Sequence, residues 1–427
     1  MSLWGNVLGA MLGIVSFALL ARLLPQEDLG IFTVFITLLT ILSLARNGLV
    51  GRGLIKYLAE SSDPEEQRRY LDAGWRLALI GTLLLGGGGG LLMLGLYGLG
   101  LGEDFLWYAV WLMPALLSSL PMDMAFWVRS AQRDFTRQLF LRLMRQSLYI
   151  MGVGSLLFIP ASYVVVIAIF SLSHLLPSLY SLVVDWGQFR ERMPSGEEER
   201  GALLRFGRYA IGTNLGGNLL KSSDAILIRF LLGPTAVAAY EVALRLVNLI
   251  DIPLRALVGF AYPDLARTRG QRGHPFFVRA FETHAGFTWL LLLPIALVCF
   301  LFPEPIVELF GGAKYAQSAD ILRVFAVYMA ITSIDRFVGL GLDLLNRPKR
   351  NFQKVMLMLA VNVGGSAFVL YTFKSLPGVA GITIVTFSTG ILFGFWLSRK
   401  DLPFRPFKWA SLGFWEMGRI VKKAVGK

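Results

Sequence analysis

Apolar runs of roughly helical-span length, separated by short polar gaps, set the pattern of this chain from one end to the other. A helix that crosses a bilayer needs roughly 20 mostly apolar residues. Twelve stretches meet or approach that length: 4–22, 29–49, 77–98, 105–126, 147–159, 163–184, 209–230, 237–258, 285–302, 321–343, 355–373 and 379–397. The fifth is short and extends back through Leu139 to Leu143. No Lys or Arg precedes the first and no small-residue cleavage site follows it, so it reads as a retained helix rather than a signal peptide. The pattern predicts an all-α polytopic membrane protein with about twelve transmembrane helices.

The gaps alternate in character, and the alternation predicts an orientation. Gaps after the even-numbered stretches hold Arg46, Arg52, Lys56, Arg68, Arg69 and Arg76, then Arg129 to Arg145, Arg190 to Arg208, Arg267 to Arg279, and Arg347 to Lys354. The tail from Arg399 to Lys427 is basic as well. Gaps after the odd-numbered stretches, such as PQED at 25–28 and Pro160-Ala161, are short and carry almost no basic residues. Cytoplasmic loops collect Lys and Arg, so both termini are expected in the cytoplasm.

Composition agrees with this reading. Of 427 residues, 55% are hydrophobic and 16% charged, with a net charge of +13 and a mean hydropathy of +0.60. Soluble domains carry about 25% charged residues, so an ordinary soluble enzyme is excluded. The basic charge marks orientation, and no nucleic-acid partner is expected. Cys299 is the only cysteine and there are three histidines, which leaves no basis for a disulfide framework or a metal site. No phosphate-binding G-x-x-x-x-G-K-[ST] motif occurs, so no cofactor is expected.

A weak internal repeat divides the chain. ARLLPQEDLGIF (21–32) and IRFLLGPTAVAAY (228–240) share a basic residue, an apolar run, a proline turn and a small-residue helix start that ends on an aromatic. Six stretches separate them, so two six-helix pseudo-symmetric bundles are expected, running in the same sense about an axis along the membrane normal. The expected domains are a bundle at 1–186, a charged cytoplasmic linker at 187–208, a second bundle at 209–397, and a basic amphipathic tail at 398–427. That tail mixes Phe404, Phe407, Trp409, Trp415 and Ile420 with Lys408, Arg419, Lys422 and Lys423. It reads either as an interfacial helix on an anionic leaflet or as a basic tail without fixed structure.

Several stretches resemble a known family. LLARLLPQEDLGIFTVF (19–35), RSAQRDFTRQLFLRLMRQ (129–146), the long run LLRFGRYAIGTNLGGNLLKSSDAILIRFLLGPTAVAAYEVALRL (203–246), EPIVELFGGAKYAQSADILRVFAV (304–327) and LLNRPKRNFQKV (344–355) resemble the polysaccharide transporters. These are the Wzx-like O-antigen flippases of the multidrug/oligosaccharidyl-lipid/polysaccharide superfamily. Members usually carry a short basic lead before the first span, whereas here Trp4 comes almost at once. The resemblance implies a flippase that moves undecaprenyl-pyrophosphate-linked oligosaccharide across the bacterial inner membrane by alternating access, for O-antigen and lipopolysaccharide synthesis. It also implies a polymerase and glycosyltransferases of the same pathway as partners.

Charges inside the apolar stretches suggest where such a substrate would be held. Arg22, Arg229, Lys314, Arg323 and Lys374 lie near stretch ends and can snorkel to water. Lys221, Arg245, Arg255 and Arg336 lie deeper, where a charge costs at least roughly 2.5–3.5 kcal/mol. Read as one helix at 100° per residue, 237–258 places Glu241, Arg245, Asn248, Asp251 and Arg255 within an arc of about 120°. Glu241 with Arg245, and Asp251 with Arg255, also have the i, i+4 spacing of intrahelical ion pairs. Asn214, Asn218 and Lys221 share a face of the preceding stretch with Asp224 at its edge, and Thr332, Arg336, Gly339 and Asp343 form another stripe. The expectation is that these stripes face a water-filled cavity between the halves. There Lys221, Arg245 and Arg336, with Asn218, Asn248 and Arg255 beside them, would hold the pyrophosphate, because phosphate oxygens accept charge-assisted hydrogen bonds. Asp224, Asp251, Glu241 and Asp123 are candidates for ion coupling.

Other features have plainer readings. Gly86 to Gly90 fit close helix packing better than a hinge. Asp123 reads as a partner of Arg129 or Arg133. His174 reads as a hydrogen-bonded buried histidine rather than a proton relay. Two rival functions remain: a multidrug exporter of the same superfamily, against which the basic stripes argue, and a membrane-embedded glycan polymerase or acyltransferase, for which a long polar outer loop is missing.

Overall fold

The computed structural model describes residues 2–61, 63–345, 347–402 and 405–425, with 2–8, 10, 209–210, 212–217, 221, 270, 348, 406–407 and 420–425 described by backbone alone. All regular structure among the described residues is helical. The order is α1 Ser2–Leu23, α2 Gln26–Arg46, a π-helical turn Asn47–Gly51, α3 Arg52–Glu60, α4 Pro64–Gly98, α5 Asp104–Ala131, α6 Phe135–Ser155, α7 Tyr163–Val183 and α8 Glu197–Leu232. It continues with α9 Pro234–Asn248, α10 Asp251–Arg272, α11 His274–Leu301, α12 Pro303–Gly311, a 3-10 turn Ala313–Tyr315, α13 Ser318–Leu344, α14 Pro348–Phe373, α15 Leu376–Ser398 and α16 Pro406–Val425. Seven helical runs among the described residues are long and apolar enough to cross a membrane: Gln26–Glu60, Pro64–Gly98, Asp104–Ala131, Tyr163–Val183, His274–Leu301, Lys349–Phe373 and Leu376–Ser398.

Local chemistry sets the boundaries. The Asp63 carboxylate accepts from the Glu65 N–H at 3.0 Å, ahead of Pro64 at the first position of α4. Asp134 caps α6 and Ser375 caps α15 through the N–H groups of Arg137 and Gly378. Such caps satisfy donors that the helix leaves open. The repeated proline turns of the sequence are the α1–α2 corner at Pro25 and the α8–α9 corner, where Gly233 takes φ +92° before Pro234.

The chain divides into two compact units, Met1–Ser222 and Ser223–Lys427, and the division falls inside α8. In the first unit α5 packs between α4 and α7, α6 packs on α7, and α1 lies on α6. Its core holds Leu54, Trp75, Met124, Trp127 and Leu203. Gly86 lets α4 approach α5 closely: a Cβ there would stand 2.9 Å from the Met113 sulfur. α4 runs unbroken through all five glycines, so this glycine serves packing.

In the second unit α13 is central, against α9, α11 and α15. The tail folds as the helix α16 and lies on α11, with Trp409 buried between Phe281 and Phe395. Lys408 pairs at 2.8 Å with the buried carboxylate of Glu282. A Cβ at Gly286 would stand 1.9 Å from the Trp409 carbonyl oxygen, which is backbone and cannot yield. Gly286→Val is therefore expected to lift α16 off α11. Limited proteolysis tests this: cleavage between α15 and α16 should appear in the variant, and an unchanged fragment pattern would refute the contact.

Candidate functional site

The polar stripe of 237–258 is not carried by one helix. α9 ends at Asn248 and α10 begins at Asp251, and the junction uses i→i+3 bonds such as Leu249 N–H to Leu246 O at 3.2 Å. Pro253 is the cause, because it brings no N–H to the Leu249 carbonyl and its ring crowds that oxygen. The expected continuous face is thus split in two. On α9, Glu241 pairs with Arg245 at 3.5 Å, and Asn248 is exposed at the end of the helix. On α10, Asp251 is 8% exposed and pairs with Arg255 at 3.3 Å and with Arg336 of α13 at 3.7 Å.

That last cluster brings two predicted residues together from different helices. Arg255 and Arg336 line one cavity of about 330 Å³ with Leu254, Val258, Gly259 and Tyr262. Two guanidinium groups share a single carboxylate, so the cluster keeps an excess positive charge. Planar guanidinium forks suit bidentate binding of phosphate oxygens. Asn218 is partly exposed on α8, while the side chains of Asn214 and Lys221 lie outside the described residues. Of the remaining predicted stripe, Thr332 donates to the Tyr328 hydroxyl at 3.3 Å and Asp343 accepts from Asn351 at 3.1 Å.

Asp224 sits in a second polar centre. It is 6% exposed. One carboxylate oxygen accepts from Asn362 Nδ2 and Ser366 Oγ of α14, both at 2.9 Å, and the other accepts from the Tyr240 hydroxyl of α9 at 2.8 Å. Asn362 also donates to Ser223 at 3.3 Å and accepts from Thr386 of α15 at 3.3 Å. Four helices therefore converge on one buried acid. No cation pairs with it among the described residues, so its three hydrogen bonds, each contributing about 1.5–3 kcal/mol to a charged group, are what offset a burial cost of several kcal/mol.

Two basic residues that the loop pattern assigned to cytoplasmic gaps prove to be buried. Arg46 is fully buried and donates to Thr82 Oγ1 at 3.0 Å, Leu116 O at 2.7 Å, Ser119 Oγ at 2.7 Å and the Asp123 carboxylate. Asp123 thus has Arg46 as its ion-pair partner, not Arg129 or Arg133; Arg129 instead donates to Gln132 at 2.6 Å. Lys354 is likewise buried and pairs with Asp335 at 2.6 Å. The clue was available, since Arg46 lies inside the apolar stretch 29–49 and Lys354 directly precedes 355–373. His174 donates from Nδ1 to the Phe170 carbonyl, 2.9 Å away, as the plainer reading expects.

Residues 1–269 match the family model described as polysaccharide biosynthesis protein. The chain belongs to that family. It is a multi-pass membrane protein of the multidrug/oligosaccharidyl-lipid/polysaccharide flippase superfamily. Residues 210–373 also match the MatE model. A relative, the probable low-salt glycan biosynthesis flippase Agl15 of Haloferax volcanii, is 21% identical over 98% of this chain and 86% of its own length. Among solved structures, the lipid II flippase MurJ in its inward closed conformation superposes with a TM-score of 0.79 at 14% identity, covering 96% of this chain and 89% of that one. An inward-facing multidrug resistance MATE family transporter gives 0.73 at 18% identity, over 92% and 94%. These likenesses establish the fold that this polysaccharide biosynthesis family member adopts.

Proposed function

We propose that the protein flips undecaprenyl-pyrophosphate-linked oligosaccharide from the inner to the outer leaflet of a bacterial plasma membrane, supplying O-antigen or a related polysaccharide. In this reading twelve helices cross the membrane, both termini are cytoplasmic, and transport proceeds by alternating access. Glycosyltransferases build the substrate on the inner side and a polymerase consumes it outside. The observation that carries the reading is the shared pairing of Arg255 and Arg336 with Asp251 on one cavity. A pyrophosphate that displaces Asp251 exchanges one anion for a better one, while the lipid tail stays in the bilayer. Lys221, Arg245, Asn218 and Asn248 are the further residues for the headgroup. Asp224 is the residue for ion coupling, ahead of Glu241, Asp251 and Asp123, which pair with arginines.

The test is export of lipid-linked glycan in cells that lack the native gene. Arg255→Ala with Arg336→Ala is expected to cut export at least about tenfold, a change of ~1.4 kcal/mol, with normal protein levels. Full export from the double variant would overturn the site assignment. The MatE match at 210–373 favours a second reading, a multidrug exporter. That reading requires cationic drugs to be expelled past Arg255 and Arg336, so a drug-resistance phenotype without a glycan phenotype would support it instead.

A further inference from the structure

The basic ends of α10 and α11, with α16 against them, enclose a cavity of about 730 Å³ that is separate from the Arg255–Arg336 cluster. Arg267 and Arg272 of α10 and Arg279 of α11 line it, all three exposed. Its two acids are already engaged: Asp264 contacts His284 across the α10–α11 pair at 2.9 Å, and Glu416 pairs with Arg419 on α16. Arg267, Arg272 and Arg279 make no ion pair among the described residues, so the cavity carries excess positive charge. Its lining is also apolar in part. Phe260, Phe276 and Trp415 are 71%, 59% and 60% exposed, and an aqueous anion would leave those rings in water.

A cation cluster beside exposed rings matches one kind of molecule, with a phosphate at one end and hydrocarbon at the other. We propose that this cavity is a binding site for the phosphodiester headgroup of an anionic phospholipid of the inner leaflet. Arg267, Arg272 and Arg279 hold the phosphate, and Phe260, Phe276 and Trp415 face the acyl chains. Indole rings favour this interfacial depth, and basic pockets on the cytoplasmic side suit anionic headgroups. Because α16 contributes Trp415 and Arg419, a bound lipid ties the tail helix to the α10–α11 corner. The proposal rests on the orientation with cytoplasmic termini, but on no property of the transported glycan.

The experiment is thermal unfolding of the purified full-length protein in neutral detergent, titrated with phosphatidylglycerol, phosphatidylcholine or inorganic pyrophosphate. Phosphatidylglycerol alone is expected to raise the melting temperature. The variant carrying Arg267→Gln, Arg272→Gln and Arg279→Gln should need about a hundredfold more of it, about fivefold per arginine, which is the ~1 kcal/mol that each basic residue contributes at an anionic surface. Arg272→Gln alone should shift the titration about fivefold, and serves where the triple variant does not fold. An equal response to phosphatidylcholine overturns the anionic headgroup. An equal response to pyrophosphate overturns the lipid in favour of a simple anion site. Unchanged titrations in the variants overturn the residue assignment. Glycan export measured on the same variants separates this site from the transport reading, because lipid selectivity can vanish while export persists.

Discussion

Asp123→Ala is expected to destabilise the first unit by about 3–5 kcal/mol, the range for stranding one member of a buried pair. The reason is an asymmetry within the pair: the Arg46 side chain is fully buried, whereas that of Asp123 is 27% exposed. Removing the acid leaves a guanidinium with no route to water. Removing the base leaves an acid that still reaches water, and the hydroxyls Arg46 had engaged keep other acceptors. Thr82 donates to Ala78 O at 2.7 Å and Ser119 to Leu116 O at 3.0 Å. Arg46→Met should therefore cost clearly less than Asp123→Ala. The double variant Arg46→Met with Asp123→Leu should recover most of the loss, since apolar replacements of buried pairs are often neutral or stabilising. Unfolding in mixed micelles measures all three. A ranking with Arg46→Met the worst would show that the arginine's other hydrogen bonds, not its charge, dominate.

Asp224→Asn is expected to abolish coupled export while the protein still assembles. The substitution preserves shape and leaves Tyr240, Asn362 and Ser366 within hydrogen-bond reach, but it removes the one negative charge on which four helices converge. A buried acid without a cation partner among the described residues is suited to take up a proton or a small monovalent cation, because an unpaired buried charge is costly. Export should fall at least about tenfold, a barrier change of ~1.4 kcal/mol, and the residual export should no longer respond to collapse of the ion gradient. Export at the parent level, with the same response to that collapse, would remove Asp224 from the coupling role. Comparing sodium-free medium with a protonophore identifies which cation acts.

The local pairings of the candidate site are legible in the sequence, and the exceptions have specific causes. The i, i+4 pairs Glu241–Arg245 and Asp251–Arg255 follow from spacing alone, because residues four apart on a helix are neighbours. Their arrangement on a single face did not follow. Pro253 interrupts the hydrogen-bond ladder at 249–250, and a helical wheel drawn through a proline overstates how far a stripe continues. Asp224 was legible only as an edge residue of its helix, since three of its donors and neighbours, Asn362, Ser366 and Thr386, come from α14 and α15, more than 130 positions away in the chain.

By itself the sequence determined the class of molecule. Apolar runs of spanning length and basic residues gathered at alternate gaps are local properties, read by a bilayer one segment at a time. The tertiary structure alone decided what each interior charge meets. It moved Arg46 and Lys354 from the cytoplasmic gaps into buried ion pairs with Asp123 and Asp335, and it set Arg336 beside Arg255 at one carboxylate. The physical reason is that a charge within an apolar environment is tolerated through its partners. Partners across helices are chosen by packing, which no spacing along the chain encodes.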